Sequence, residues 1–240
     1  MIDMCYEKLP GGVWVAVNQQ HRFGTDAFLL ASFAAPRHKD MVCDLCTGCG
    51  IVALLQISHY NCLGCTGVEI VPEAAQLFEA GIEKSNLQGR VKCLRGDLKQ
   101  VCDQLPEGSF DVVTCNPPYK KLGSGIMSQS SADQLARHET ACTIEDICKV
   151  AKRLLKFGGR LCICQRPERM VDCLVAMRNN GIEPKRIQMV AKRPHCEPWL
   201  VLIEGKRGAK PHMRVEPLFV IQDETGGMSP QLQRAYGQGE

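Results

Sequence analysis

No run of apolar residues in this 240-residue chain comes near the roughly 18 needed to cross a bilayer, so no membrane span is expected. The opening residues, Met1-Ile2-Asp3-Met4-Cys5, lack the basic-then-apolar order of a secretory signal, so a cytoplasmic location is expected. There is no internal repeat. Charge of one sign is also lacking: the net charge of +3 argues for no partner by itself. Its distribution says more. From Lys185 to Arg214 there are eight Lys or Arg against only Glu197 and Glu204. A cluster of that kind fits a polyanion partner, or equally a solvated basic surface.

Cysteine is abundant, with fifteen residues. Cys43, Cys46 and Cys49 have ferredoxin-like spacing, but Ala53 stands where the fourth ligand belongs. Cys62 and Cys65 make a further C-x-x-C pair. An odd total without a secretory signal argues against a disulfide framework. Cys115, Cys162 and Cys164 lie in apolar strand patterns. Most cysteines are therefore expected to be reduced, buried and used as small hydrophobes, with no metal site. The competing reading is a metal or redox module built on Cys43, Cys46, Cys49, Cys62 and Cys65, which stoichiometric iron or zinc would reveal.

With 45% apolar residues, the chain has material for one large domain, expected over residues 1–222 with its core at 41–205. Residues 1–24 read as a short β ribbon around Val13–Val17, and Thr25 or Asp26 caps the helix that follows. From Met41 the chain alternates strand and helix about five times. It closes with strands at 182–190 and 199–203 joined by a short loop. That order predicts an α/β fold, a Rossmann-like, mostly parallel seven-stranded sheet with helices on both faces. The last connection is too short for a crossover helix, so one antiparallel strand is expected near the C-terminus. Thr143-x-x-Asp146 reads as a capping box for a helix over 143–157. Residues 120–141 make a long Ser- and Gly-rich connection, a lid or a disordered segment. Residues 223–240 read as a flexible tail.

Two stretches carry chemistry. The first is Asp44-Leu45-Cys46-Thr47-Gly48-Cys49-Gly50, a strand running into a G-x-G-x-x-A loop and then a helix. Its glycines let the backbone turn tightly beside a ligand, and the helix N-terminus offers free N–H groups. The loop alone is a weak signal. Its frame strengthens it: a second strand ends at Glu69-Ile70, where a carboxylate can accept both ribose hydroxyls. Asp97, after the third strand, is either a helix cap or a partner for an adenine amine. The second stretch is Asn116-Pro117-Pro118-Tyr119, closing the fourth strand. Two prolines stiffen the backbone. The Asn116 side chain and the Pro117 carbonyl supply acceptors and Tyr119 a flat face, which suits a planar amine; a proline-rich surface turn is the plain alternative.

Over residues 20–205 these motifs resemble class I S-adenosylmethionine-dependent methyltransferases that act on amino groups. Phe23-Gly24-Thr25-Asp26-Ala27-Phe28-Leu29-Leu30, Arg137-His138-Glu139 and the basic segment near 192–207 are similar to the bacterial tRNA(Val) adenine-N6 methyltransferases, which modify the adenine next to the anticodon. The resemblance implies a cofactor site of Thr25, Asp26, Asp44, Thr47, Gly48, Gly50, Glu69, Ile70, Asp97 and Asn116. It implies a reaction centre of Asn116, Pro117, Pro118 and Tyr119. It further implies tRNA contacts from Tyr119, Arg137, His138, Lys192 and Arg193. Cysteines at 46 and 49 depart from the frequent glycine and serine; both are small and should leave the loop intact. The Asn-Pro-Pro-Tyr turn is shared with protein glutamine-N5 and rRNA guanine-N2 methyltransferases. The first usually carries a larger N-terminal helical domain. The second usually has a duplicated domain or Asn-Pro-Pro-Phe. An NAD-dependent dehydrogenase would leave Asn116–Tyr119 without a role. No protein partner is evident, and the oligomeric state stays open.

Overall fold

The computed structural model describes residues 3–117 and 142–238, so the expectations for Pro118, Tyr119, Arg137, His138 and the 120–141 connection lie outside the described residues. Strands β1 (Cys5–Lys8) and β2 (Trp14–Val17) form the expected antiparallel ribbon. The ribbon rests on helix α3 (Pro72–Lys84), where Trp14 N–H donates 2.8 Å to Ser85 Oγ just past the helix end.

The main sheet is built from β3 (Met41–Leu45), β4 (Gly64–Glu69), β5 (Val91–Arg95), β6 (Phe110–Cys115), β7 (Leu155–Gln165), β8 (Ile182–Ala191) and β9 (Pro198–Arg207). Two-residue strands β10 (Arg214–Val215) and β11 (Phe219–Val220) both pair with β8. The order is β10-β8-β9-β7-β6-β3-β4-β5. Strands β3 to β7 pair in parallel; β9 runs antiparallel to both of its neighbours. This is the Rossmann-like sheet with one reversed strand that the alternation implied.

Alternation along each strand decides which face each side chain covers. Val42, Val112, Cys162 and Cys164 join one apolar cluster, with residues of α1 (Thr25–Ala34), α2 (Ile51–Ser58) and α3. Cys43, Val113, Leu161 and Ile163 join the other, with residues of α4 (Leu98–Val101), α5 (Ile144–Leu154) and α6 (Met170–Asn179). The cysteines thus fill the core like small hydrophobes. Cys43, Cys49, Cys62, Cys65, Cys115, Cys148, Cys162, Cys164 and Cys173 are all buried. Burial pushes the thiols of Cys62, Cys148, Cys162 and Cys173 up to about 12, which keeps them protonated and unreactive.

The structure departs from expectation in three places. Helix α5 has its Thr143–Asp146 capping box, but stops at Leu154 rather than Phe157. Leu155 is needed as the sheet partner of Phe110, and that pairing takes over from helix propensity. Within the expected tail of 223–240, residues 229–236 are not loose. Helix α7 (Pro230–Ala235) is capped by Ser229 and buries Leu232 and Ala235. Tyr236 stacks on Phe28 of α1 with ring centroids 4.0 Å apart. Two apolar side chains and one aromatic stack suffice to dock a segment whose polar composition suggested otherwise. Finally, helix α1 is entered through Gly24, and neither Thr25 nor Asp26 caps it. Among the described residues, no helix is long and apolar enough to cross a membrane.

Candidate functional site

Because β3, β4, β6, β7 and β8 point the same way, their carboxyl ends share one edge of the sheet. Along that edge lie Glu69 after β4, the glycine loop after β3, Asn116 after β6 and Arg166 after β7. The chain order 3-4-5 runs one way from β3, while β6 lies on its other side. This reversal leaves a crevice between the diverging connections, as open α/β sheets do at a switch point.

The glycine loop has a fixed reason for each glycine. Gly50 sits at φ +81, and a Cβ there would stand 1.8 Å from Phe78 Cδ2. Gly48 sits at φ +59, yet a Cβ on it would meet no atom within 4 Å. The space beside Gly48 is therefore a cavity, kept open for something else. Cys46 also takes the left-handed region, at φ 56. A side chain in that conformation costs about 1–2 kcal/mol, which is why a glycine suits this position. The loop tolerates the cysteine but carries its strain.

Asp44, at the end of β3, is buried. Its two oxygens accept from Thr114 Oγ1 at 2.6 Å and Thr47 Oγ1 at 2.5 Å, tying β3 to β6 and to the loop. Burial pushes the Asp44 carboxyl up to about 7; the Thr114 and Thr47 hydroxyls oppose the rise and the charge of Glu69 adds to it. A carboxyl raised on folding stabilises the protein fully below its unfolded pKa near 4, and that contribution is lost as pH rises to about 7. Asp44→Asn has no such titration. Between pH 5 and 8 its unfolding free energy should therefore gain on the parent by roughly 2–3 kcal/mol. Denaturant unfolding of both proteins at the two pH values measures this; parallel pH profiles would contradict it.

Two adjoining cavities open on the crevice. The larger, about 360 Å³, is lined by Glu69, Ile70, Gly96, Asp97 and Leu98 on one side and Gly48, Cys46 and Asn116 on the other. The smaller, about 170 Å³, is lined by Arg22, Phe23, Asp26, Asp44, Thr47 and Gly48, and shares Asn116 with the first. Glu69 is held rigid: Oε2 accepts from Gly48 N–H and Oε1 from Val71 N–H, both at 2.8 Å. Asp97 accepts from Lys99 N–H at 2.9 Å, so it both starts α4 and faces the cavity.

Asn116 stands where the cavities meet. Its Nδ2 donates to Asp26 Oδ2 at 3.0 Å, and Cys164 Sγ donates to its Oδ1 at 3.1 Å. Pro117 follows, buried.

The residues picked from sequence as a cofactor set thus converge, apart from two. Thr25 lines neither cavity; its hydroxyl accepts from Tyr236 Oη at 3.3 Å. Gly50 does not line them either; it shapes the loop from below through Phe78. Lys192 and Arg193 are exposed in the β8–β9 loop, on the same edge but three strands from β6, about 14 Å away at ordinary strand spacing. Sequence reasoning missed Gln20, His21 and Arg22, which line the cavities from the turn before α1. Their only signal was a polar run, Asn18 to Arg22, ahead of Phe23-Gly24.

Four carboxylates, from Asp26, Asp44, Glu69 and Asp97, border the two cavities, against one arginine. Such a lining suits an elongated ligand with hydroxyls near its middle and net positive charge toward one end. S-adenosylmethionine fits this set: a ribose for Glu69, an adenine amine for Asp97, and sulfonium and ammonium charges for the smaller cavity.

The family model for the methyltransferase small domain matches residues 17–178. A Porphyromonas gingivalis protein named tRNA1(Val) (adenine(37)-N6)-methyltransferase is 28% identical over 225 residues, covering 89% of this chain and 86% of that protein. A Histophilus somni protein of the same name is 33% identical over 142 residues, 58% of each chain. Among solved structures, a protein from Agrobacterium tumefaciens described as a predicted O-methyltransferase has a TM-score of 0.68 at 18% identity, covering 88% of this chain and 95% of that one. A geranyl diphosphate C-methyltransferase from Streptomyces coelicolor, solved with S-adenosyl-L-homocysteine, has a TM-score of 0.55 at 13% identity, covering 76% and 79%. These structures share the fold.

Proposed function

The chain belongs to the methyltransferase small-domain family, and from that premise we propose that it uses S-adenosylmethionine to methylate the exocyclic N6 amine of an adenine in tRNA, the adenine next to the anticodon of tRNA(Val). The observation that carries this reading is the position of Asn116. It closes β6 at the junction of two carboxylate-lined cavities, followed by a proline that holds the backbone extended.

The cofactor supplies an electrophilic methyl group on a sulfonium. The chain supplies position. Glu69, locked by two backbone N–H groups, receives the ribose, and Asp97 the adenine amine. Gly48 leaves room for the methionine end, and Asp26 and Asp44 balance its positive charge. An adenine amine is a poor nucleophile because its lone pair is delocalised into the ring. The Asn116 Oδ1 and the Pro117 carbonyl accept its two N–H bonds, favour a more pyramidal nitrogen and aim its lone pair at the methyl. Orientation of this kind lowers a barrier by up to roughly 7–11 kcal/mol. No strong base is needed, since the amine becomes acidic only once methylated. The target base must leave its stack, and a tyrosine at 119 supplies a face for it.

The tRNA part of the reading is supported by the names of the relatives and by the basic edge. Arg166, Lys192 and Arg193 follow β7 and β8 on the side of Asn116 away from the cofactor cavities. Phosphates bound there would leave a base free to reach the corner. The test is to incubate unmodified tRNA with the protein and labelled S-adenosylmethionine, then digest to nucleosides for mass spectrometry. Label in N6-methyladenosine is the expected result. Label on guanine, or on a glutamine of a protein substrate, would move the chain to another branch of amino-group methyltransferases.

A further inference from the structure

Asp26 lies in the first turn of α1, where an acid ordinarily serves the helix. Here it makes no capping hydrogen bond; Gly24 occupies the cap position. The carboxylate reaches across 90 residues of sequence to Asn116 Nδ2. Gly24 also makes room for it. A Cβ on Gly24 would stand 2.7 Å from Asp26 Oδ1, so any side chain there would push the carboxylate aside.

This contact settles which way round the Asn116 amide stands. The two ends of an amide are alike in shape, and its terminal torsion is soft and roughly two-fold. A carboxylate only accepts, so the end facing Asp26 is the NH₂. The oxygen is then turned the opposite way. The Cys164 thiol, 3.1 Å from that oxygen, favours the same sense but is a weak donor. Rotated by half a turn, the amide would present N–H groups to the target amine, donor against donor, and the corner could not hold its substrate.

We propose that Asp26 is a positioning residue for the methyl transfer: it fixes the Asn116 amide so that Oδ1 faces the incoming amine. This rests on the reading of Asn116 as the acceptor for that amine. It gives Asp26 a task distinct from cofactor binding, although it lines the same cavity.

Asp26→Ala and Asp26→Asn separate the two tasks. The asparagine keeps an acceptor for Asn116 Nδ2 but removes the charge. Three readings are taken: the Asn116 side-chain NH₂ signals in ¹H–¹⁵N spectra, the Kd for S-adenosylmethionine by calorimetry, and kcat with tRNA at saturating cofactor. In Asp26→Ala the Asn116 signals should move and kcat should fall about 100-fold, the scale of a small misplacement of a reacting group. Both variants remove a charge that balances the cofactor, so its Kd should weaken by a similar factor in each. Asp26→Asn should recover kcat to within about tenfold of the parent. The inference is overturned if the Asn116 signals do not respond to Asp26→Ala. It is also overturned if both variants lose cofactor affinity alike with kcat preserved, since Asp26 would then act only as a counter-charge. A parent protein that transfers no methyl to tRNA would reject the functional reading instead, while the NH₂ signals would still report on the contact.

Discussion

Asn116→Ala should lower methyl transfer by roughly 100- to 1,000-fold, the effect of deleting one group that steadies a transition state, while S-adenosylmethionine still binds within a few-fold of its parent affinity. The separation follows from the geometry. On the proposed reading, ribose and adenine fall to Glu69, Ile70, Asp97 and Gly48, and the hydrogen bonds that hold Glu69 and Asp97 come from other backbone groups. Glu69 is held by Gly48 and Val71 N–H groups, and Asp97 by Lys99 N–H. The amide itself contacts Asp26 and Cys164. Its removal leaves the carboxylate-lined cavities in place and takes away an acceptor for the amine. Calorimetric titration with cofactor, set beside single-turnover methyl transfer, measures both halves. Equal losses in binding and rate would make Asn116 a cofactor ligand rather than part of the reaction centre.

Gly50→Ala should have the largest effect on stability. The new Cβ would overlap the Phe78 ring, with three ring carbons between 1.8 and 2.4 Å away. Phe78 is fully buried and cannot swing out. The residue would also be held at φ +81, at a cost of about 1–2 kcal/mol. Overpacking adds about 1–3 kcal/mol, so a loss of roughly 2–5 kcal/mol is expected in denaturant unfolding. The helix start that Gly50 sets would shift with it, carrying Gly48 away from Glu69, and cofactor affinity should fall as well. Gly48→Ala makes the contrast. Its Cβ meets nothing, so only the left-handed cost of about 1–2 kcal/mol at φ +59 remains, less than for Gly50→Ala, while cofactor binding should fall.

The sheet was legible because its signals are local. Strand–helix alternation gave the parallel order, and the short turn between β8 and β9 gave the reversal. The cofactor side was legible because a strand, a glycine loop and a distal acid bring their own geometry with them. What lay hidden depends on contacts between distant segments. Asp26 resembles a helix cap until Asn116, 90 residues later, is seen to claim it. The C-terminal segment looks unstructured until Tyr236 finds Phe28. Helix α5 loses its last turn because Leu155 has a partner in β6. Cys46 resembles a harmless substitution until its backbone is found in the left-handed region. Each is a competition between local propensity and a tertiary contact, and no window of sequence contains both sides.

The most direct test of the account is a crystal structure of the protein with bound S-adenosyl-L-homocysteine, the demethylated cofactor. The account predicts the ribose hydroxyls on Glu69, the adenine beside Ile70 and Asp97, and the sulfur turned toward the side of the crevice lined by Asn116. A ligand bound with its sulfur on the far side of the glycine loop, or with Asn116 turned out of the crevice, would contradict it.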